Sequence, residues 1–176
     1  MRQVVPQAAV LARRLATVPG VAGTAARSEA FALAAGDERS FGIRVTGVQP
    51  ARERAVSSLP GLVRRGRYLD DGDAAEVVIG ARLAENLRVD IGEELVLLGS
   101  GRDGSVAAGV ATVVGILESG LTDVDRGLAA VPLGWFDATF AMRGAAHRVV
   151  IRLDALDLLA DVQPQLRAAL RDDGPL

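Results

Sequence analysis

Glu76-Val-Val-Ile-Gly-Ala-Arg-Leu-Ala-Glu-Asn-Leu-Arg-Val-Asp-Ile-Gly92 reads as a strand, a helix and the opening of another strand. Val77, Val78 and Ile79 form a β-branched run, Gly80 punctuates it, and Leu83, Ala84 and Leu87 recur at the spacing of one helical face. Ile91 and Gly92 are expected to open the next strand. The stretch holds no nucleophile or general base with a partner, so its own chemistry is that of packing.

Working outward, the pattern before this stretch begins with Val4, Ala8, Leu11, Leu15 and Val18, an amphipathic spacing that predicts a helix over 4–18, ended by Pro19-Gly20. Phe31 and Leu33, the turn Ala35-Gly36-Asp37-Glu38 and the alternating Phe41, Ile43 and Val45 predict a hairpin. Pro50 sits at a helix-start position, and Arg52 to Leu59 predicts a short helix. Arg64 to Arg67 against Asp70 to Asp73 reads as solvated loop charge. After the stretch, 93–98 and 106–117 predict a second hairpin, 119–127 a polar connection, 128–133 a strand and 134–142 a short helix. A strand at 147–153 and a helix over 155–170 close the chain, with Asp154 as N-cap, Leu156, Leu159, Val162, Leu166 and Leu170 on one face, and Pro164 kinking the helix or moving its start. The order predicts an α+β fold of two lobes. Residues 1–68 and 147–176 form an α/β lobe from both chain ends, and 69–146 a β-rich lobe inserted between them.

At 176 residues the chain can bury a sizeable core, and with 3% aromatics that core must be built from Val, Leu, Ile and Ala. All 20 basic residues are Arg, read as a compositional bias. The net charge of -2 with interspersed signs argues against nucleic acid as a partner. The absence of cysteine excludes disulfides, thiolate catalysis and cysteine metal sites. No run approaches the ~20 apolar residues of a membrane-spanning helix, and the start lacks a secretory signal profile. A domain excised from between two membrane helices would look the same.

Candidate chemistry is thin. Gly99-Ser-Gly101-Arg-Asp-Gly104 matches a dinucleotide fingerprint literally, yet Thr112 and Val113-Val114 beyond it favour a strand where the site needs a helix, so it reads as a hairpin turn. Glu118, Asp123 and Asp125 lack calcium-loop spacing and read as solvated loop carboxylates. His147 is the only histidine and reads as a surface or strand-start residue. No serine sits in a nucleophile elbow. Catalytic, cofactor and metal residues are therefore predicted to be none.

Val18-Pro-Gly-Val21, Val45-Thr-Gly-Val-Gln-Pro50, Gly66-Arg-Tyr-Leu69, Gly80-Ala-Arg-Leu-Ala84, Val89-Asp-Ile-Gly92, Val113-Val-Gly-Ile116 and Ser119-Gly120 followed by Asp123 occur in succession. From about Val4 to Leu170 the chain thereby resembles the extracytoplasmic core domain of MacB-type ABC transporter permeases, of the MacB/LolC/LolE/FtsX-type superfamily. The resemblance implies a place between two transmembrane helices, on the periplasmic or outer-surface side of the cytoplasmic membrane. It implies a βαβ-like porter lobe and a mostly β sabre lobe, which agrees with the insert read from the residues. It further implies no cofactor and no bond chemistry. Such a domain transmits motion driven by a cytoplasmic ATPase subunit, and its partners are the permease's own membrane helices, a second permease copy or a periplasmic protein. Lipoprotein-releasing members carry a long loop that captures a periplasmic carrier; the corresponding turn here, Gly99 to Ser105, is short. The alternative is a free-standing soluble ligand-binding protein or small enzyme using the inter-lobe cleft.

Overall fold

The computed structural model describes residues 4–70 and 72–171. In chain order it contains α1 (Ala8–Leu15), β1 (Val21–Ala35), β2 (Ser40–Val48), α2 (Pro50–Val56), a 3₁₀ turn (Leu59–Leu62) and β3 (Val63–Gly66). The middle comprises β4 (Glu76–Gly80), α3 (Ala81–Leu87), β5 (Glu94–Ser100), β6 (Val106–Leu117), α4 (Thr122–Gly127), β7 (Leu128–Pro132) and α5 (Leu133–Phe140). β8 (Arg148–Leu153), a second 3₁₀ turn (Leu156–Leu158) and α6 (Leu159–Arg171) complete it.

β1 organises the molecule because its two halves belong to different sheets. From Val21 to Arg27 it pairs antiparallel with β8. From Ser28 to Ala35 it pairs with β2, and Ala32 to Ala35 pair on the other edge with β5. Because β1 meets both β2 and β5, the order β1-β2-β7-β4-β6-β5 returns to β1 as a closed ring of six strands. Closure removes the unpaired edges that an open sheet would present. The hairpin β1–β2 and strands β4 to β7 thus hydrogen-bond within one sheet.

The side-chain period of two decides what fills the ring. Ala32, Ala34, Ile43, Val45, Val77, Ile79, Leu95, Leu97, Ala111 and Val113 are buried in one core. Phe31, Leu33, Val96, Leu98 and Val110 alternate with them and remain exposed. The strands themselves contribute mainly such small and medium side chains to it, which is how a chain so poor in aromatics builds most of its core. The larger rings enter this core from α5: Phe136 and Phe140 stack with centroids 4.4 Å apart, are fully buried, and meet the inward faces of β2 at Gly47 and of β5 at Gly99.

The opening stretch folds as predicted up to its end. β4 leads directly into α3, whose Leu83, Ala84 and Leu87 are all buried. Gly80 at the joint is crossed by α4: a Cβ there would lie 2.2 Å from the Asp125 carbonyl oxygen, so no larger residue fits. The next strand, however, starts at Glu94 rather than at Ile91-Gly92, because Gly92 takes a φ of +90°, a turn conformation that interrupts extension before the strand begins.

The β1–β8 ribbon is held between α1 and α2. Thr24 Oγ1 donates to Ala12 O of α1 at 2.5 Å, while Ala55 of α2 packs on Gly23. Where β2 ends, α2 continues along the same edge of β1: Gln49 Oε1 accepts the Ala26 N–H at 2.8 Å and Arg52 Nη1 donates to Thr24 O at 3.4 Å. These side chains satisfy backbone groups that a further strand would otherwise meet.

Several other expectations are corrected. The first helix is shorter than 4–18, spanning Ala8–Leu15. The polar connection at 119–127 contains α4. Leu156 and Leu159, expected on a buried face, are 89% and 53% exposed, because the 3₁₀ turn breaks the 3.6-residue period before α6 begins. Ala155 holds the N-cap position of that turn in place of Asp154, and α6 runs through Pro164. Asp71, within the acidic run predicted as loop, lies outside the described residues.

Candidate functional site

The place where β1 changes sheets, between Arg27 and Ser28, gathers the most unusual chemistry in the described residues. Glu53 of α2 has a fully buried side chain, and burying an unpaired carboxylate is prohibitive. It is paired instead: Arg27 Nη2 contacts Oε1, Arg27 Nε reaches Oε2 at 3.2 Å, and Ser57 Oγ donates to Oε1 at 2.5 Å. Tyr68, 7% exposed, lies near enough to feel that pair. Burial first, then the charge of Glu53, pushes its phenol well above the ordinary tyrosine range. Its hydroxyl and that of Ser28 are buried with no hydrogen-bond partner among the described residues.

His147 reaches the same joint from the other direction. Its N–H donates to Arg27 O and its Nδ1 accepts the Glu29 N–H, both at 3.1 Å. It lies immediately before β8 and pins the last connection to the point where β1 changes partners. Sequence reading missed Arg27, Glu53 and Tyr68, and the one available signal was weak: a Glu in a short helix beside apolar neighbours.

The other sequence candidates separate. Gly99 to Gly104 is the β5–β6 hairpin turn, closed by Gly101 N–H to Ser105 O at 2.8 Å. Glu118 and Asp123 are exposed, but Asp125 is buried, contrary to the expectation of a solvated carboxylate. It accepts the Ser119 N–H at 2.7 Å and Ser119 Oγ at 2.8 Å, tying the loop to the first turn of α4. Burial pushes its pKa up, but the bonds from Ser119 and Gly120 outweigh this and hold it below the ordinary aspartate value. Among the described residues, no three His, Cys, Asp or Glu side chains cluster to hold a metal. Arg67 pairs with Glu76 and Asp70, and Arg65 with Asp90 at 2.8 Å; contrary to the expectation of a loop, Arg64 and Arg65 lie in strand β3. Beside the joint, β1, β2, β5 and α5 border an open, largely apolar cavity of about 840 Å³.

The architecture is that of extracytoplasmic domains of ABC-type transporters. It matches the extracellular domain of the noncanonic ABC-type transporter YknZ from Gram-positive bacteria, with a TM-score of 0.75 at 20% identity over 97% of this chain and 84% of that one. It also matches the periplasmic region of MacB from Actinobacillus actinomycetemcomitans, with a TM-score of 0.70 at 12% identity over 98% and 75% of the two chains. The chain belongs to the family of MacB-like periplasmic core domains, whose model matches residues 2–169. Among curated proteins it is 32% identical over 166 residues to the lipoprotein-releasing system transmembrane protein LolC of Xylella fastidiosa, covering 90% of this chain and 39% of LolC. The chain therefore spans well under half the length of that relative. Family members are ABC transporter permeases rather than enzymes, and the domain stands on the periplasmic or outer-surface side of the cytoplasmic membrane. No helix among the described residues is long and apolar enough to cross a membrane.

Proposed function

We propose that this chain is a non-catalytic transmission domain, passing motion driven by ATP hydrolysis in a cytoplasmic subunit to substrate or partner handling outside the membrane. It acts as two lobes, 1–68 with 147–176 and 69–146, which share the ring through β1 and β2 and meet where the His147 N–H bonds Arg27 O. The observation that carries this reading is the continuity of β1. One strand lies in the ribbon flanked by α1 and α2 and, without interruption, in the ring, so displacement of the ribbon is delivered to the ring through backbone. The partners in this reading are the flanking membrane helices of the same permease, and outside the membrane a second permease copy or a periplasmic protein. Carrier capture by a long hook loop is not part of it, since Gly101 to Ser105 forms a tight turn.

The chain contains no cysteine, so spin labels can be placed singly in this domain. Labels at Leu159→Cys on α6 and Glu118→Cys beside the ring, in the full permease with its ATPase in membranes, report the inter-lobe distance. A distance distribution that shifts between nucleotide-free and ATP-bound states is expected. An unchanged distribution in a transport-competent permease would overturn the reading.

A further inference from the structure

β1 has two partners on one edge, β8 as far as Arg27 and β5 from Ala32 onward, and over Ser28 to Phe31 neither reaches it. His147 closes one side of that interval. On the other side the interval opens into the cavity of about 840 Å³, a volume within the ~300–1,000 Å³ of small-molecule sites. Phe136, Phe140 and Met142 lie buried behind it, and its accessible apolar wall is formed by Phe31, Leu33 and Leu98, which remain 66%, 42% and 39% exposed. At the Met142 end lies Arg102, whose Nη1 donates to Met142 O at 3.1 Å. Among the described residues no carboxylate pairs with that guanidinium, whereas the other charged lining group, Glu29, is paired with Arg148.

We propose that this cavity binds a free long-chain carboxylate, its acyl chain along Phe31, Leu33 and Leu98 and its head group on Arg102. The assignment follows from the two halves of the lining. A compact phosphate or sugar would leave Phe31, Leu33 and Leu98 wet, a cationic ligand would face the Arg102 guanidinium, and a neutral hydrocarbon would leave that guanidinium unused. An anionic amphiphile satisfies both ends. The proposal goes beyond the transmission reading and does not depend on it, because it concerns binding by the chain itself.

Titration calorimetry of the 176-residue chain with octanoate, decanoate and dodecanoate, each below its micelle concentration, tests it. Affinity is expected to rise about three- to four-fold per added methylene until the cavity is full. Arg102→Gln should weaken dodecanoate binding about ten-fold or more and leave dodecanol binding unchanged. Gly42 lines the cavity, and a Cβ there meets no atom within 4 Å, so Gly42→Phe should fill the mouth and abolish binding with the fold intact. Affinity independent of chain length, indifference to Arg102→Gln, or binding only when the acyl chain is presented in vesicles would each overturn the proposal. Should Gly42→Phe unfold, the length series and Arg102→Gln, at an exposed position, decide alone.

Discussion

Replacing Glu53 with glutamine keeps the shape of the side chain and removes its charge, leaving Arg27 without its counterion at the joint of the two sheets. The glutamate side chain is 0% exposed and the arginine 19% exposed, so the stranded guanidinium is only partly rehydrated. Removing one member of a buried pair costs about 3–5 kcal/mol, and the residual exposure of Arg27 puts the expected loss near the lower end. For a chain of this size about 3 kcal/mol corresponds to a fall in Tm of about 6–12 °C. Urea unfolding followed by circular dichroism measures the loss directly. The double variant Arg27→Met with Glu53→Leu removes both charges together, so it should recover at least about 2 kcal/mol relative to the sum of the single changes. Single variants within about 0.5 kcal/mol of the parent, or a strictly additive double variant, would refute the claim that this pair is a coupled structural joint.

Leu83→Ala in α3 empties a fully buried site and is expected to cost about 2–5 kcal/mol in the same unfolding assay; a change under about 0.5 kcal/mol would mean the neighbouring side chains close the gap. Glu76 supplies a pH dependence. The hydrogen bond from Arg67, opposed by partial burial and aided by the Asp70 N–H, lowers its pKa in the folded state. A carboxylate whose folded pKa is depressed contributes stability above its unfolded value of about 4.3, and that contribution is lost as pH falls through the lower folded value. The urea midpoint should therefore decline across this acid range and decline less steeply in Glu76→Gln; parallel curves for the two proteins would contradict it.

The local pattern around β4 and α3 was legible because alternation and helical spacing report directly which face is buried, and Val77, Ile79, Leu83 and Leu87 are all in the core. Both hairpins were legible for the same reason, with turn residues between alternating strands. Ring closure was not. It depends on β1 finding β5 and on β2 finding β7 in parallel, pairings between distant segments that leave no periodic mark on either strand. Nor was the buried pair of Arg27 and Glu53 legible, since the same residues on an exposed face would give the same local sequence. Asp125 was misread for a related reason: its burial comes from α4 lying across Gly80, a tertiary contact.

The dual membership of β1 also bears on how the chain acquires its structure during synthesis and export. The C-terminal half of the strand finds β2 immediately, across a tight local turn, but the N-terminal half must wait for β8, which emerges only after most of the chain. Until then one edge of Val21 to Arg27 stands open beside a growing chain, and pairing across so long a separation is slow. In the interim α1 and α2 already cover the two faces of the half-made ribbon, and Gln49 and Arg52 its other edge, so the nascent chain exposes a single edge, to be sealed by its own last strand.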